Sequence, residues 1–263
     1  MTGHRFFLPI MLSIAAAIVA GFGAQVAQAQ DRTIRIAIEG KFPPFNYLDS
    51  NGDLQGFDVE IARALCDAMH SPCELVVHAW DDMIPGLLDS RYDAIVSSMS
   101  MSTERREKVA FTGRYYDSPT IFITGKSSPI QAFAPQDLAG KRLGVTLATA
   151  QEAFAQHFYG NASIVVFAES PELYQGLADG KVDVILEDKL AAYDWLTNTK
   201  AGDCCEFRGA DIKDPTYFGG GAGIALRKDD VSLLNDFNGA LDAISQDGTY
   251  NMINAKYFPF PIR

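Results

Sequence analysis

Histidine, cysteine and tryptophan are scarce, at 4, 4 and 2 of 263 residues. Beyond His4, the histidines are His70, His78 and His157, scattered without the spacing that metal ligands need. Basic residues are also outnumbered, 22 against 33 acidic ones, with no long basic run. That argues against nucleic acid as a partner, because grip on a phosphate backbone depends on clustered Lys and Arg. No second long apolar stretch follows the first 30 residues, so the mature chain is expected not to be membrane-embedded. Nucleophile elbow, zinc-protease helix and nucleotide fingerprint are all missing. The run Gly176 to Lys181 is one residue short of a phosphate-binding loop, lacks the following Ser or Thr, and ends a helix, so it reads as a C-cap turn. Ser97, Ser98 and Ser100 have no adjacent base. Nothing here asks for catalysis, a metal or a cofactor, and none is expected.

What is present is a globular composition, 48% hydrophobic and 21% charged, in a chain long enough for one large domain or two small ones. The first residues read as an address. His4 and Arg5 form a basic start, Phe6 to Phe22 is apolar apart from Ser13 and small residues, and Ala27-Gln28-Ala29 has the small-x-small pattern of a signal peptidase site. Cleavage after Ala29 removes one basic residue, leaving 263 − 29 = 234 residues with a charge balance of 21 − 33 = −12. No Cys near the cut suggests a lipid anchor. The product is expected in an oxidising compartment outside the cytoplasm, and there a Cys66–Cys73 disulfide would staple a helix end to the next strand. Cys204 and Cys205 are neighbours with no other partner. Two loop thiols, a vicinal disulfide and a weakly supported metal site all stay open.

Ile34, Ile36 and Ile38 alternate with Arg35 and Ala37, a half-buried strand. Strand and helix patterns then follow in turn: a helix from Asp58 to Met69, a strand at Leu75 to Val77, a helix at Asp82 to Leu88, a strand at Tyr92 to Ser98, and a charged helix from Thr103. The alternation restarts after Tyr115. Strands are expected at Arg142 to Val145, Ile164 to Phe167 and Val182 to Leu186, and helices at Ala150 to Phe158, Ser170 to Ala178 (Ser170 as N-cap, Pro171 at N1) and Asp188 to Leu196. An extended Gly219 to Leu226 precedes two helices, Val231 to Ser245 and Tyr250 to Tyr257. These make two α/β units of similar plan joined by two crossings. Lobe 1 would be discontinuous, 30–116 plus 222–263, lobe 2 would be 121–213, and the hinges would fall at about 117–120 and 214–221. Strand C-termini and helix N-termini would meet in a cleft between them.

A cleft that holds an amino acid needs a guanidinium and free N–H groups for the carboxylate, and an acid for the ammonium. The strand-end run Asp93 to Ser100, followed by Arg105, supplies hydroxyls with a guanidinium, and Leu186-Glu187-Asp188 supplies acids. These stretches stand in a specific order with Pro43-Pro44-Phe45, Gly56-Phe57-Asp58, Ile84-Pro85, Gln151-Glu152-Ala153, Gly223 to Lys228, Asp247 to Tyr250 and Lys256-Tyr257-Phe258. Over Thr33 to Phe258 the chain closely resembles the periplasmic basic-amino-acid binding proteins, the lysine/arginine/ornithine and histidine branch of the type II solute-binding proteins that serve ABC importers. The resemblance implies a two-lobed type II fold, a soluble monomer in the periplasm, a basic amino acid as ligand and a membrane permease as partner. It implies the Cys66–Cys73 disulfide independently.

Carried over by position, the resemblance has Arg105 clamp the ligand carboxylate, assisted by Ser100 and the N–H groups of Ala150 and Gln151 at a helix N-terminus; where the chain departs from the family run there, Thr149 could add a hydroxyl. Asp188 takes the α-ammonium, with Ser98 and Ser100 nearby. Phe42 and Trp80 sandwich the side chain, and Glu39 meets its distal charge. Thr146 lines the wall, and Ser97 reads more as structure than as a direct ligand. Departures are Phe42 for a common Tyr, Trp80 for Phe, and Thr146 to Ala150 in place of a Gly-Ser-Thr run. Each has a bland alternative: Arg105 as a solvated helix charge, Asp188 as only an N-cap, Phe42 and Trp80 as core aromatics, and Glu39 as a solvated acid. An opine binder, a sensory module serving a receptor, and a cyclohexadienyl dehydratase with Glu39 or Glu187 as its acid are the competing functions.

Overall fold

The computed structural model describes residues 1–4 and 33–263, so the signal peptide expected over 1–29 lies almost wholly outside the described residues. In chain order the strands are β1 Ile34–Ile38, β2 Lys41–Phe42, β3 Asn46–Leu48, β4 Leu54–Gln55, β5 Cys73–Val77, β6 Ala94–Ile95, β7 Ala110–Tyr116, β8 Thr120–Gly125, β9 Arg142–Thr146, β10 Ser163–Phe167, β11 Val184–Asp188, β12 Cys205–Ile212 and β13 Ala222–Leu226. The helices are α1 Phe57–Ala68, α2 Met83–Leu88, α3 Thr103–Lys108, α4 Ala150–Phe158, α5 Ser170–Ala178, α6 Lys189–Asn198, α7 Val231–Gln246 and α8 Thr249–Tyr257. Among the described residues no helix is long and apolar enough to cross a membrane.

Two five-stranded sheets organise the α/β fold, in the orders β5-β1-β6-β13-β7 and β10-β9-β11-β8-β12. Each has a parallel core, β1 with β5 and β6 in one and β9 with β10 and β11 in the other. Each is extended on one side by antiparallel strands. We call each sheet with its flanking helices a lobe. The alternation read in β1 is real on one face only: Ile36, Ala37 and Ile38 are all buried, as parallel strands covered on both faces are. Behind this sheet α1 buries Phe57, Val59, Ile61, Ala62 and Leu65, and aromatic rings of Phe45, Tyr116 and Phe258 close around Phe57.

Tight approach shapes the start of α1. Gly56 has φ +120°, and a Cβ there would lie 2.3 Å from the Phe45 carbonyl oxygen. Only glycine fits, and this fixes the loop before α1 against β3.

The elements depart from expectation where side chains are recruited elsewhere. The strand expected at Tyr92 to Ser98 pairs only through Ala94 and Ile95, because the chain turns at Ser98 with φ +54°. The run Gly219 to Leu226 is strand only from Ala222, since Gly219 and Gly221 take positive φ. The strand expected at Val182 to Leu186 sits two residues later. The helix expected at Asp82 to Leu88 is α2 preceded by a 3-10 turn, Trp80–Asp82. Ser170 does not cap α5: Glu169 is the N-cap, and the buried Ser170 hydroxyl lies against Glu187 instead. Gly180, with φ +68°, ends α5 in the expected turn, its N–H donating to Leu177.

Cys66 and Cys73 are joined, tying the last turn of α1 to β5. Cys204 and Cys205 are joined to each other at the start of β12. The Cys66–Cys73 bridge closes a short loop. Replacing both cysteines by serine is expected to cost about 2 kcal/mol of stability, read as a lower denaturant midpoint with the native circular dichroism retained.

Candidate functional site

The carboxyl ends of four strands converge on one cavity. Glu39 follows β1, Ser97 and Ser98 follow β6, Thr146 ends β9 and Asp188 ends β11. This is where α/β sheets hold ligands, because helix N-termini and unpaired strand ends face each other there. Glu39, Phe42, Trp80, Ser97, Ser98, Ser100 and Arg105 line the cavity from lobe 1, and Thr146, Thr149, Ala150, Gln151 and Asp188 from lobe 2. Ser170 and Glu187 also line it; Glu187 was expected in the cleft only as the acid of the dehydratase alternative, and Ser170 not at all.

Arg105 is buried at 9% exposure in α3. Ser102 caps that short helix through its side chain, which orients the first turn toward the cavity. Nη1 donates to the Ser100 carbonyl and Nη2 to the Ala148 carbonyl, both at 3.1 Å. The guanidinium lies 5.1 Å from the centre of the Trp80 ring. No carboxylate lies within ion-pairing distance among the described residues. Burial outweighs the smaller raising pull of the Glu104 charge, and it brings this guanidinium down to about 10.

Ala148 belongs to lobe 2, so that bond crosses the cleft. Trp80 Nε1 donates to the same carbonyl at 3.2 Å, and Lys41 pairs with Glu169 across the other side. Ala148 takes φ +56°, which turns its carbonyl toward lobe 1. Its N–H donates to Glu152, while the Thr149 side chain caps α4 by accepting from the Glu152 N–H. The Thr149 hydroxyl proton is taken by the Thr146 carbonyl at 2.6 Å. The expectation that Thr149 offers this hydroxyl to a carboxylate is thus corrected. What α4 offers an anion is the first-turn N–H groups of Ala150 and Gln151.

Opposite stands acid. Asp188 is both an N-cap and a cavity residue: Oδ1 accepts from the N–H groups of Leu190 and Ala191 and from Ser118, and Oδ2 accepts from none of the described residues. Burial raises it to about 6 against those bonds. Glu39 is half-buried, accepts no hydrogen bond among the described residues, and is raised to about 7 by burial and then by Glu169. Glu187 is 3% exposed; Oε1 accepts from the Asp188 N–H and Oε2 from Ser170 and Thr146. Uncharged donors do not offset its burial, which pushes it up to about 8.

The remaining lining groups are partly committed. Ser97 Oγ accepts from the Glu39 N–H at 3.1 Å, and Ser98 Oγ donates to Asp58 at 2.8 Å. Gln151 donates to Thr120. Phe42 is stacked on Phe45 at 5.4 Å, which backs one face of its ring. A buried guanidinium and N–H groups at one side, with carboxylates lacking donors elsewhere, suit a zwitterion with a further positive charge.

The model of the bacterial extracellular solute-binding proteins, family 3, matches residues 34–260. The chain belongs to that family. This solute-binding protein is 36% identical over 236 residues to the lysine/arginine/ornithine-binding periplasmic protein of Escherichia coli K12, covering 89% of this chain and 90% of the relative. It is 35% identical to ABC transporter arginine-binding protein 1 of the same organism, over 94% of this chain and 98% of the relative. Among solved structures, a Salmonella typhimurium periplasmic binding protein of high arginine specificity superimposes with a TM-score of 0.78 at 27% identity, covering 86% of this chain and 99% of that one. By name these relatives are binding proteins, not enzymes.

Glu187 gives a stability prediction. Its carboxyl titrates near 4.5 when unfolded and near 8 when folded. The stability that the acid form provides is complete below pH 4.5, drains as pH rises, and is gone above about pH 8. Glu187→Gln keeps the shape without the charge. Its unfolding midpoint is expected to exceed the parent's by roughly 5 °C at pH 8 and to match it at pH 4.

Proposed function

We propose that this protein is the periplasmic receptor of an ABC importer and captures a basic amino acid, arginine foremost, between its lobes. The observation that carries the reading is Arg105, a buried guanidinium without a carboxylate of its own in a cavity otherwise acidic. The ligand carboxylate takes its fork and the N–H groups of Ala150 and Gln151. The α-ammonium takes Oδ2 of Asp188, and Ser100 lies beside both groups. The aliphatic stem runs between Phe42 and Trp80, and Glu39 receives the guanidinium or distal ammonium. The names of the relatives support the ligand class and the importer.

The protein works as a monomer, released by cleavage after Ala29. Its lobes are 30–116 with 222–263, and 121–213. The crossings 117–120 and 214–221 act as hinges, and a permease recognises the closed form. The bonds from Trp80 and Arg105 to Ala148 belong to that form. The dehydratase alternative has two raised acids in its favour, but the relatives are transport binding proteins.

Calorimetry with arginine, ornithine, lysine, histidine and glutamine tests the reading. Tight binding to the basic members is expected, and binding confined to glutamine or acidic amino acids overturns it. Arg105→Ala should weaken arginine binding about 100-fold or more, because a buried carboxylate then loses its cation. The pH dependence follows from the acids. Glu39 must be ionised to hold a cation, so affinity falls as pH drops below about 7, up to tenfold per unit. It steepens below about 6, where Asp188 also takes a proton. A flat affinity between pH 8 and pH 5 would show that neither acid meets the ligand.

A further inference from the structure

Asp58, in the Gly56-Phe57-Asp58 segment, touches no cavity and yet sits behind its floor. It is fully buried, and three side chains donate to it at 2.8 Å: Tyr115 to Oδ1, and Asn46 and Ser98 to Oδ2. The proton positions on Asn46 and Tyr115 are forced, while Ser98 has the Tyr116 hydroxyl as a further hydrogen-bond neighbour beside Asp58. Asn46 Oδ1 accepts from the Gly40 N–H, so its amide nitrogen faces Asp58. The Tyr115 oxygen accepts from the Ser98 N–H, so its proton goes to Asp58. Burial raises Asp58 only to about 6, so at neutral pH it is a carboxylate that can only accept. The Ser98 hydroxyl proton therefore also points away from the cavity.

Ser98 is the member of this cluster whose side chain lines the cavity. Its place along the ligand follows from its neighbours. Ser97 holds the Glu39 backbone, at the end for the distal charge. Ser100 holds Arg105, at the carboxylate end. Ser98 stands between them in the chain and lines the same wall, which suits it to the α-ammonium of a ligand whose two ends are held.

We propose that Asp58 is a positioning residue for ligand selection: it holds the Ser98 hydroxyl proton, so that Ser98 Oγ meets the ligand α-ammonium as an acceptor. This rests on the amino-acid reading of the cleft. A free serine hydroxyl serves a donor or an acceptor equally well. One with its proton committed rewards an N–H group and repels an oxygen, so a residue outside the cavity sets the polarity of its wall.

The test is a cycle of variants titrated with L-arginine by calorimetry. Ser98→Ala and Asp58→Ala are each expected to weaken binding about tenfold. The double variant should be no weaker than the weaker single one, because both remove the same acceptor. Asp58→Asn, whose amide oxygen can replace Oδ2, should bind within about threefold of the parent. Losses that multiply in the double variant, or single variants that bind as the parent does, overturn the proposal. Should Asp58→Ala not fold, neutron diffraction on the parent with L-arginine decides: the Ser98 deuterium is expected toward Asp58, and a deuterium aimed at the ligand overturns the assignment. A parent that binds no basic amino acid overturns the cleft reading and this proposal with it. A parent that binds while the variants do so equally well overturns this proposal alone.

Discussion

A guanidinium buried without an acid is costly, and the cleft is arranged around that cost at Arg105. Two backbone carbonyls and the face of Trp80 hold the charge without neutralising it. One of those carbonyls, Ala148, belongs to the opposite lobe and also receives Trp80. Groups from both lobes thus meet at Arg105, and among the described residues no carboxylate pairs with it.

The acids have a different logic. Glu39 keeps both oxygens free of donors, Asp188 commits one oxygen to the start of α6, and Glu187 is ringed by hydroxyls and an N–H. All three are raised by burial, Glu187 the most despite its donors. On the proposed reading, with Glu187 carrying its proton, a bound dibasic zwitterion would leave the cavity balanced: Arg105 against the carboxylate, Asp188 and Glu39 against two cations. Acidity within the cavity is thus graded, and the most deeply buried acid is the one that a single ligand does not need.

Much of the architecture was legible because it rests on local rules. The bounds of α4 match expectation, since an apolar period follows a capping threonine, and strand-to-helix alternation pointed to both sheets. The errors lie where a distant group recruits a side chain. Ser170 has every local mark of a cap, but Glu187, 17 positions on, draws its hydroxyl away. The strand before Ser98 breaks off because the residue's N–H and hydroxyl are claimed by Tyr115 and Asp58. Within the site, strand-end position pointed to Asp188 and to Ser97–Ser100. Ser170 escaped, and Glu187 was seen only as an alternative acid, because their approach to the cavity depends on how β11 and α5 pack. Asp58 was visible as a motif but without a role, since its three partners lie 12, 40 and 57 positions away.

The first sheet carries one more implication. Its central strand β6 bonds β1 on one side and β13 on the other, so Ile95 sits beside both Ala37 and Ala225. The second sheet draws every strand from one contiguous stretch. During synthesis, or during emergence across a membrane, that stretch can collapse as soon as it is free. The first sheet, by contrast, must keep a half-built apolar surface waiting until the last portion of the chain arrives. The interval between those two moments is when this molecule leaves the most sheet surface uncovered.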